Sequence, residues 1–541
     1  MKMKERNAQL KSALGAMTNV ETAKSITSVP VEDSKNRCGY GAYSLDDELR
    51  LISMLNTLKL EPQFYRSENE TIKELRDLIE RIGLKDPYFV AQAIVYSRCK
   101  GEGMRSINHL AAALLAPFIS GQEYAKRFYG LWNKKEDKGG CIYRPDDMSE
   151  IKDVYNALNS GTLSNSMKKG FASAIENLDT YLLAKYKKSI IDIANLVHPN
   201  PSKSASFVID NEGNKVNVLS ALMKGITITA DTWEAAQSEA GQEVAKAVKE
   251  GKLSKEKAEQ VLKEAKAENW NVLLKENKLG ILAALRNIRN ILNTCTSETI
   301  DILCNLVSDG EKIRAGLIMP YQIDTAYEVV RSECSGSNAR KVMDALQKGY
   351  MEAVPNLSKS LPGKTAVLVD CSGSMNTRCW TKNGRCQATA AEKAGLIAAT
   401  VAKATNADII RFGSEAKFIN YDINDNVFTL GKSIGYANLG GTRINSAFNI
   451  LKEKYDRIIL LSDNECNYGG WTSYGYKEYM RRTGANPYVY CIDLAAYGTT
   501  PLKNPGRVNY YYGYGYAMFD DIASKEFNPE MHIEKVRKIV I

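Results

Sequence analysis

Apolar residues recur every three or four positions along the first two thirds of the chain. From Ser44 to about Ala353 they fall at i, i+3, i+4 and i+7, and Gly, Asn, Asp or Pro breaks the pattern at intervals. The first five segments of this kind read SLDDELRLISMLNTL, NETIKELRDLIERIG, DPYFVAQAIVYSRCK, INHLAAALLAPFIS and GQEYAKRFYGLWNK. Amphipathic helices in series, with short connections and no strand runs, predict an all-α region of stacked, HEAT-like helix pairs.

The last third of the chain has a different pattern, in which short apolar runs alternate with helical segments. Four runs read KTAVLVD, ADIIRFG, RIILLSD and PYVYCID, and an Ala-rich stretch, 388–405, follows the first of them. Strands that alternate with helices predict an α/β domain with a mostly parallel, Rossmann-like sheet. The chain is therefore expected to be multi-domain, with an all-α repeat followed by an α/β domain.

Two stretches of the chain are distinguished by composition. Residues 234–269 are rich in Ala and in charged side chains, which is typical of a solvated helical hairpin. The segment 357–364, LSKSLPGK, contains a Pro-Gly pair and favours a linker. We therefore expect a flexible N-terminal segment over 1–36, a helical domain over 37–358 and an α/β domain over 359–541.

Composition places the chain among ordinary globular proteins. Of its 541 residues, 44% are hydrophobic and 25% are charged, and the net charge of +9 is spread evenly enough to hint only weakly at a polyanionic partner. The 11 cysteines include no C-x-x-C pair, which favours reduced thiols and a cytoplasmic location. The N-terminus lacks the apolar core of a signal peptide, and no apolar run is long enough to predict a membrane span.

Oxygen-bearing side chains follow two predicted strands of the α/β part, at the point where each strand ends. Asp370, Ser372 and Ser374 lie in the DCSGS loop, Thr442 follows a Gly-Gly pair, and Asp463 ends RIILLSD. Loops after the carboxyl ends of parallel strands share one crevice, and Mg²⁺ prefers carboxylate, hydroxyl and water oxygens. The sequence thus predicts a divalent-metal site, with Mg²⁺ as the expected ion. The alternative is an ordinary loop whose Asp and Ser cap the next helix.

This oxygen set resembles the metal-ion-dependent adhesion site of von Willebrand factor A domains. The resemblance extends over Lys364–Ile541, where the order of apolar strands and helical stretches matches that family. In the family, the sixth metal position is left for an acidic group of a ligand. Because nothing in the site supplies a nucleophile and a base, binding rather than catalysis is the expected role.

An all-helical repeat followed by such a domain, with LLSDNE at the second Asp, resembles the Ro autoantigen family. The resemblance covers the chain from about Arg37 to the end and points to a bacterial or phage member. It includes LAKYKKSIIDIANLVHP at Leu183–Pro199, LGILAALRNIRNIL at Leu279–Leu292 and PYQIDTAYEVV at Pro320–Val330. In that family a helical TROVE domain closes into a ring and a von Willebrand factor A domain follows it.

The resemblance to Ro proteins implies RNA partners. Ro proteins bind small noncoding Y RNAs on the outer basic face of the ring and pass single-stranded 3′ ends of misfolded RNAs through its hole. The resemblance thus implies a monomeric ring that acts in RNA quality control or turnover, with an exoribonuclease or another protein bound through the metal site. It also implies RNA contacts by basic side chains, which would hold phosphates without reading sequence: Lys185, Lys187, Lys188, His198, Lys168, Lys169, Arg286 and Arg289.

Three alternatives stay open from the residues alone. The chain can be a metal-dependent protein-interaction scaffold that uses its helices as a protein platform and binds no RNA. It can also be a nuclease that uses the metal, although the sequence displays no second metal cluster and no base. Each basic pair can be a solvated helix face, which is the usual role of surface charge.

Overall fold

Helices dominate the chain before residue 354, as the periodicity predicts. The computed structural model describes residues 22–541 except 59, 61, 64, 102, 160–161, 210–213, 226–254, 317, 319, 354–362, 377, 381–385, 436–438, 468–470 and 514–530. The chain divides into two compact units. Unit 1 comprises Met1–Ala111 and Pro355–Ile539, and unit 2 comprises Ala112–Val354 and Val540–Ile541. Residues 37–111 thus belong to the same compact unit as the sheet, whereas their periodicity placed them in the predicted helical domain.

The N-terminal elements begin with a short antiparallel strand pair. Local sequence explains where the helices start: Asp46 and Asp86 accept from backbone N–H groups at their helix starts, and Ser67 forms a capping box with Glu70. The elements are β1 (Ser34–Lys35), β2 (Gly41–Ser44), α1 (Asp47–Thr57), α2 (Glu68–Gly83), α3 (Pro87–Cys99) and α4 (Ser106–Leu115).

Unit 2 is built from helices that pack in neighbouring pairs. The helices that carry Val307 and Gly349 pack closely against each other. A Cβ added to Gly349 would lie 2.0 Å from the carbonyl oxygen of Val307, so a larger residue would not fit there. The elements are α5 (Ala125–Phe128), β3 (Trp132–Asn133), β4 (Lys138–Gly139), α6 (Pro145–Leu158), α7 (Asn165–Glu176), α8 (Thr180–Lys185), α9 (Lys187–Val197), β5 (Phe207–Ile209), β6 (Lys215–Asn217), α10 (Val218–Met223), α11 (Lys255–Lys275), α12 (Ile281–Thr294), α13 (Ser297–Val307), α14 (Gly310–Ala315), α15 (Pro320–Glu333) and α16 (Ser337–Ala353).

Short strand pairs interrupt these helices, which the periodicity did not predict. Of the segment GQEYAKRFYGLWNK, only Ala125–Phe128 form a helix. Backbone hydrogen bonds from Cys141 to Phe128 and from Ile142 to Gly130 hold the chain beyond it in an extended path. Strands β5 and β6 form an antiparallel hairpin. Of the predicted charged hairpin 234–269, the part before Lys255 lies outside the described residues, as do residues 1–21 and most of the predicted linker.

The C-terminal part of unit 1 forms a six-stranded sheet with the order β11-β10-β7-β12-β13-β15. All neighbouring strands are parallel except the edge strand β11, which confirms the mostly parallel sheet and its four predicted strands. The elements are β7 (Thr365–Asp370), β8 (Arg378–Trp380), β9 (Cys386–Thr389), α17 (Ala390–Thr405), β10 (Asp408–Phe412), β11 (Ala416–Ile419), α18 (Val427–Gly435), α19 (Ile444–Ile450), β12 (Arg457–Ser462), α20 (Thr472–Thr483), β13 (Tyr488–Asp493), β14 (Thr499–Thr500), β15 (Val508–Tyr512) and α21 (Met531–Arg537).

The two central strands of this sheet are buried along their whole length. Ala366 and Leu368 of β7 join a core with Phe448 of α19 and Tyr479 of α20, while β7 also packs against α17. Helices on both sides explain why these strands read as continuous apolar runs rather than as alternating ones. Because β7, β12 and β13 are parallel neighbours, their carboxyl ends lie at the same edge of the sheet.

None of the helices described in either unit combines the length and the apolarity needed to cross a lipid bilayer.

Candidate functional site

Two buried carboxylates lie at the carboxyl edge of the sheet. Asp370 ends β7 and Asp463 directly follows β12, and these two strands are parallel neighbours. Neither side chain is more than 1% exposed. Oδ1 of Asp370 accepts a hydrogen bond from the backbone N–H of Ser372 at 2.9 Å, and Oδ2 accepts one from the Ser462 hydroxyl at 2.6 Å. The structure thus brings together the two strand ends that the sequence analysis paired.

Hydroxyl groups complete this edge. The hydroxyl oxygens of Ser372 and Ser374 lie 3.2 Å apart, and the Ser374 hydroxyl lies beside the Asp463 carboxylate. The backbone N–H of Gly373 donates to the carbonyl oxygen of Gly440 at 2.9 Å, which joins the DCSGS loop to the loop that carries Thr442. All five predicted metal ligands therefore gather at one edge of the sheet.

Two of these oxygens have no hydrogen-bond partner among the described residues. They are Oγ1 of Thr442, whose residue is 0% exposed, and Oδ2 of Asp463. The Thr442 backbone is fixed, since its N–H donates to Oδ1 of Asn467 at 2.7 Å. A buried polar atom without a hydrogen-bond partner lowers the free energy of unfolding by about 1–3 kcal/mol. Two such atoms at one site therefore favour a bound ligand there. A hard cation bound through oxygens fits both atoms.

The charges at this edge also fit a cation. Burial raises the pKa of Asp370, and burial together with the neighbouring charge of Asp370 raises the pKa of Asp463 well above its usual range. A bound cation reverses this effect because it favours the ionised carboxylates. In the described part of the chain, no three His, Cys, Asp or Glu side chains form a metal-binding group. A cation at this edge would therefore need the hydroxyl oxygens as well as the two carboxylates.

Comparison with known proteins reveals a likeness of fold. No family model matches the sequence, and no curated protein matches it significantly. The crystal structure of the Ro (RSR) protein of Deinococcus radiodurans is similar over 92% of this chain and 100% of that chain, with a TM-score of 0.51 and 15% identity. The chain has the fold of a bacterial Ro protein. The likeness is one of fold, with helices before a mostly parallel sheet.

Within this Ro fold, the predicted RNA-binding lysines cluster at the junction of α8 and α9. Lys185 ends α8, and Lys187 and Lys188 begin α9, separated only by Tyr186. All three lysines are exposed, as is His198, which ends α9 in the left-handed conformation with φ of 50°. The exposed Lys169 and half-buried Lys168 lie on α7, which packs against α9.

Arg286 and Arg289, the two arginines predicted to contact RNA, lie elsewhere in unit 2. Both belong to α12, which packs against α11, α13 and α15. Arg286 is exposed, whereas Arg289 forms an ion pair with Glu333. The carboxylate already neutralises Arg289, so this side chain has less charge to offer a phosphate than the lysines at the α8–α9 junction.

Three further side chains, which the sequence did not single out, shape the carboxyl edge of the sheet. Ser462 donates to Asp370, Asn467 accepts from the backbone of Thr442, and Glu465 is fully buried. Burial raises the pKa of Glu465 to about 7, and its Oε2 accepts from the backbone N–H of Arg37 at 2.9 Å. The polar run LSDNEC after an apolar strand was the sequence feature that could have identified the first and third of these.

Proposed function

We propose that this protein binds RNA as a component of a ribonucleoprotein particle. The observation that carries the proposal is the pair Lys187 and Lys188 in the first turn of α9, a turn whose sequence, KKSI, holds no acidic residue. Cations at a helix N-terminus oppose the helix dipole and reduce stability by a few tenths of a kcal/mol or more. The same arrangement favours a bound phosphate, because the helix end and both ammonium groups attract it.

The Ro fold and the Ro-like segments support a more specific proposal. The ligands would be small noncoding Y-like RNAs and misfolded or structured RNAs with single-stranded 3′ ends, and the role would be RNA quality control or turnover. Lys185, His198, Lys168 and Lys169 would add phosphate contacts on the neighbouring helix faces, and Arg286 would contribute from α12.

The test begins with protein purified from its own host. We expect its absorbance ratio at 260 and 280 nm to reveal bound nucleic acid, and sequencing would identify the RNA. Protein stripped of nucleic acid should shift a structured RNA with a single-stranded 3′ tail in a native gel. The same RNA without the tail is the matched control. Nucleic-acid-free protein that shifts neither RNA would refute the proposal.

A second function is favoured by the two oxygens, of Thr442 and Asp463, that have no hydrogen-bond partner in the part of the chain that the structure describes. We propose that Asp370, Ser372, Ser374, Thr442 and Asp463 hold a divalent cation, Mg²⁺ by the chemistry of an all-oxygen set. An acidic group of a protein partner would complete the coordination, which is the scaffold function considered as the alternative to RNA binding. Isothermal titration of the metal-free protein with Mn²⁺ tests the cation, and heat identical to that of Asp370→Ala would refute it.

The remaining features implied by the Ro resemblance belong to this proposal. They are a TROVE domain closed into a HEAT-like ring, a von Willebrand factor A domain, a monomeric state, a cytoplasmic location and an exoribonuclease partner. We propose no catalytic activity for the chain itself. A nuclease assay with the Mg²⁺-loaded protein tests that last point, since cleavage that Asp370→Ala abolishes would favour the nuclease alternative.

A further inference from the structure

Three arginines of unit 1 surround a single carboxylate. Glu74 on α2 accepts a hydrogen bond from Nε of Arg50 at 2.8 Å through one oxygen and from Nη1 of Arg66 at 3.0 Å through the other. Arg50 also bonds the first oxygen through Nη2. The guanidinium of Arg37 lies farther away, with Nη2 3.6 Å from Glu74. Both oxygens of the carboxylate are thus engaged, and Arg37 is the arginine that it holds most weakly.

Positive charge is therefore in excess around Glu74. Burial and the neighbouring charge of Arg50 lower the pKa of the Arg66 guanidinium to about 10. The other groups that the Arg37 guanidinium approaches are the carbonyl oxygens of Tyr65 at 3.4 Å and Tyr497 at 3.5 Å, which carry only partial charges. Of the three arginine side chains, that of Arg37 is 29% exposed and the other two are buried. An anionic ligand can therefore reach Arg37.

A short chain of hydrogen bonds joins Arg37 to the carboxyl edge of the sheet. The backbone N–H of Arg37 donates to Oε2 of Glu465 at 2.9 Å, and the backbone N–H of Glu465 donates to Oδ1 of Asp463 at 3.1 Å. Glu465 thus bonds the backbone of Arg37 rather than its guanidinium. Asp463 carries one of the two oxygens that lack a hydrogen-bond partner within the described ranges of the chain. Arg37 therefore lies two hydrogen bonds from the proposed cation site.

A second chain of hydrogen bonds joins the neighbouring Tyr65 to the same edge. Nδ2 of Asn467 donates to the Tyr65 hydroxyl at 3.5 Å, and Oδ1 of Asn467 accepts from the backbone N–H of Thr442 at 2.7 Å. The rings of Tyr65 and Tyr497 meet edge to face with their centres 5.5 Å apart, and the guanidinium carbon of Arg37 lies 5.8 Å from the ring centre of Tyr497. These three residues, here called the rim, therefore lie together beside the proposed cation site.

We propose that the rim binds a second acidic group of the ligand that completes the cation site, so that the partner is a protein segment with two neighbouring carboxylates. One carboxylate would coordinate the cation, and the other would pair with the guanidinium of Arg37. Arginine suits this role because its planar group binds a carboxylate through two parallel hydrogen bonds. The inference rests on the proposed cation-dependent scaffold function and deepens it, since it adds the chemical class of the partner.

The surrounding charges favour a protein segment over a nucleic acid. The exposed carboxylate of Glu70 and the half-buried one of Glu74 both lie near Arg37. A nucleic acid carries a negative charge at every nucleotide, so its further phosphates would be repelled by these two carboxylates. A protein segment can place neutral residues there and present only the two carboxylates that the cation and Arg37 take.

The probe is a fluorescein-labelled peptide of alternating Glu and Gly, whose binding to the Mn²⁺-loaded full chain is followed by anisotropy. We expect Arg37→Gln to weaken binding by about tenfold or more, because a charge-assisted pair is lost. The substitution keeps the backbone N–H that donates to Glu465, so the Mn²⁺ affinity measured by calorimetry without peptide should stay within twofold of the wild type.

Arg507→Gln is the matched control. The guanidinium carbon of Arg507 also lies over a tyrosine ring, 4.5 Å from the ring centre of Tyr488. Tyr488 begins β13 and therefore lies at the opposite edge of the sheet from the cation site. This variant loses the same charge and should bind the peptide like the wild type. A peptide of alternating Gln and Gly should not bind.

The rim is refuted, and the cation site left intact, if the Mn²⁺-loaded wild type does not bind the Glu-Gly peptide or if Arg37→Gln binds it equally well. Peptide binding that is unchanged in EDTA, or that falls equally in Arg37→Gln and Arg507→Gln, also refutes it. Binding of oligouridylate instead of the peptide, dependent on Mn²⁺ and Arg37, would refute the protein partner. A wild type that binds no Mn²⁺ refutes the proposed cation function itself.

Discussion

The Ser462 hydroxyl donates a hydrogen bond of 2.6 Å to Oδ2 of Asp370, from the end of one central strand to the end of the next. Both residues are 0% exposed. The bond satisfies one oxygen of a carboxylate that would otherwise be buried with a single partner. It also fixes the direction of the side chain on which the proposed cation site depends.

Removal of this hydroxyl should destabilise unit 1. In Ser462→Ala we expect the free energy of unfolding to fall by about 1–3 kcal/mol, because a buried carboxylate oxygen loses its donor. Urea unfolding followed by circular dichroism measures the change. The control is Ser332→Ala, which removes an exposed hydroxyl bonded to the carbonyl oxygen of Glu328 and should change stability by less than about 0.5 kcal/mol. Equal effects in the two variants would contradict the role assigned to Ser462.

Asp370→Ala should separate the two proposed functions. The substitution removes a central oxygen ligand, so we expect Mn²⁺ binding to disappear from calorimetric titrations. RNA affinity should stay within twofold of the wild type, because the proposed RNA contacts lie in unit 2. A folded Asp370→Ala protein that loses RNA binding would contradict this division of labour. Circular dichroism establishes that the variant is folded.

The metal-free protein should lose stability as the pH rises from about 4.5 to about 7. Burial raises the pKa of Glu465 from its ordinary 4.5 to about 7, so folding favours the protonated carboxyl at low pH, and this contribution of at most about 3 kcal/mol is lost as the proton leaves. The raised pKa values of Asp370 and Asp463 act in the same direction.

Thermal unfolding in EDTA at pH 5 and pH 7.5 measures this dependence. Glu465→Gln should reduce this dependence, since the amide does not titrate, and should leave the part that comes from Asp370 and Asp463. Mg²⁺ should raise the unfolding midpoint more at pH 7.5 than at pH 5, because the cation binds the ionised carboxylates and competes with protons. A midpoint that rises between pH 5 and pH 7.5 in EDTA would contradict the assignment.

Removal of a basic side chain should weaken RNA binding less when that side chain already forms an ion pair. Lys187→Gln combined with Lys188→Gln should weaken RNA binding by tenfold or more at low salt and reduce the salt slope by about 1.4, about 0.7 for each lost phosphate contact. Arg289→Gln should have a smaller effect, since Glu333 already pairs with that arginine. Filter binding at several salt concentrations measures both. A larger loss in Arg289→Gln would place the RNA elsewhere.

The sheet and the gathering of oxygen side chains at its carboxyl edge were predictable because both depend on local sequence features. A strand such as β12, buried on both faces, must be a continuous apolar run, and the oxygen side chains stand directly after it. The hydrogen bond from Ser462 to Asp370 was not predictable, because the sequence shows that the two strand ends meet but not which of their side chains bond to each other. The hairpin that carries Phe207 was missed as well, since three-residue strands are too short to establish a period of two.

The grouping of the N-terminal segment with the sheet was the least predictable feature. The side-chain amide of Asn36 donates to the carbonyl oxygen of Cys466 at 2.6 Å, and Val29 contributes to the core beneath the sheet. Such contacts follow from three-dimensional packing, and the helical periodicity of residues 44–111 contains no trace of them. The same periodicity fits a helix in a repeat and a helix that covers a sheet.

Unit 1 combines an early and a late part of the chain, so its two parts are synthesised at different times. Residues 22–111 leave the ribosome long before the strands they pack against, and the whole of 112–354 is made in the interval. Unit 2 has nearly all of its residues by then and can begin to fold, while the earlier segment waits with its apolar surface uncovered. The newly made N-terminal helices therefore keep apolar surface exposed until the sheet has been synthesised.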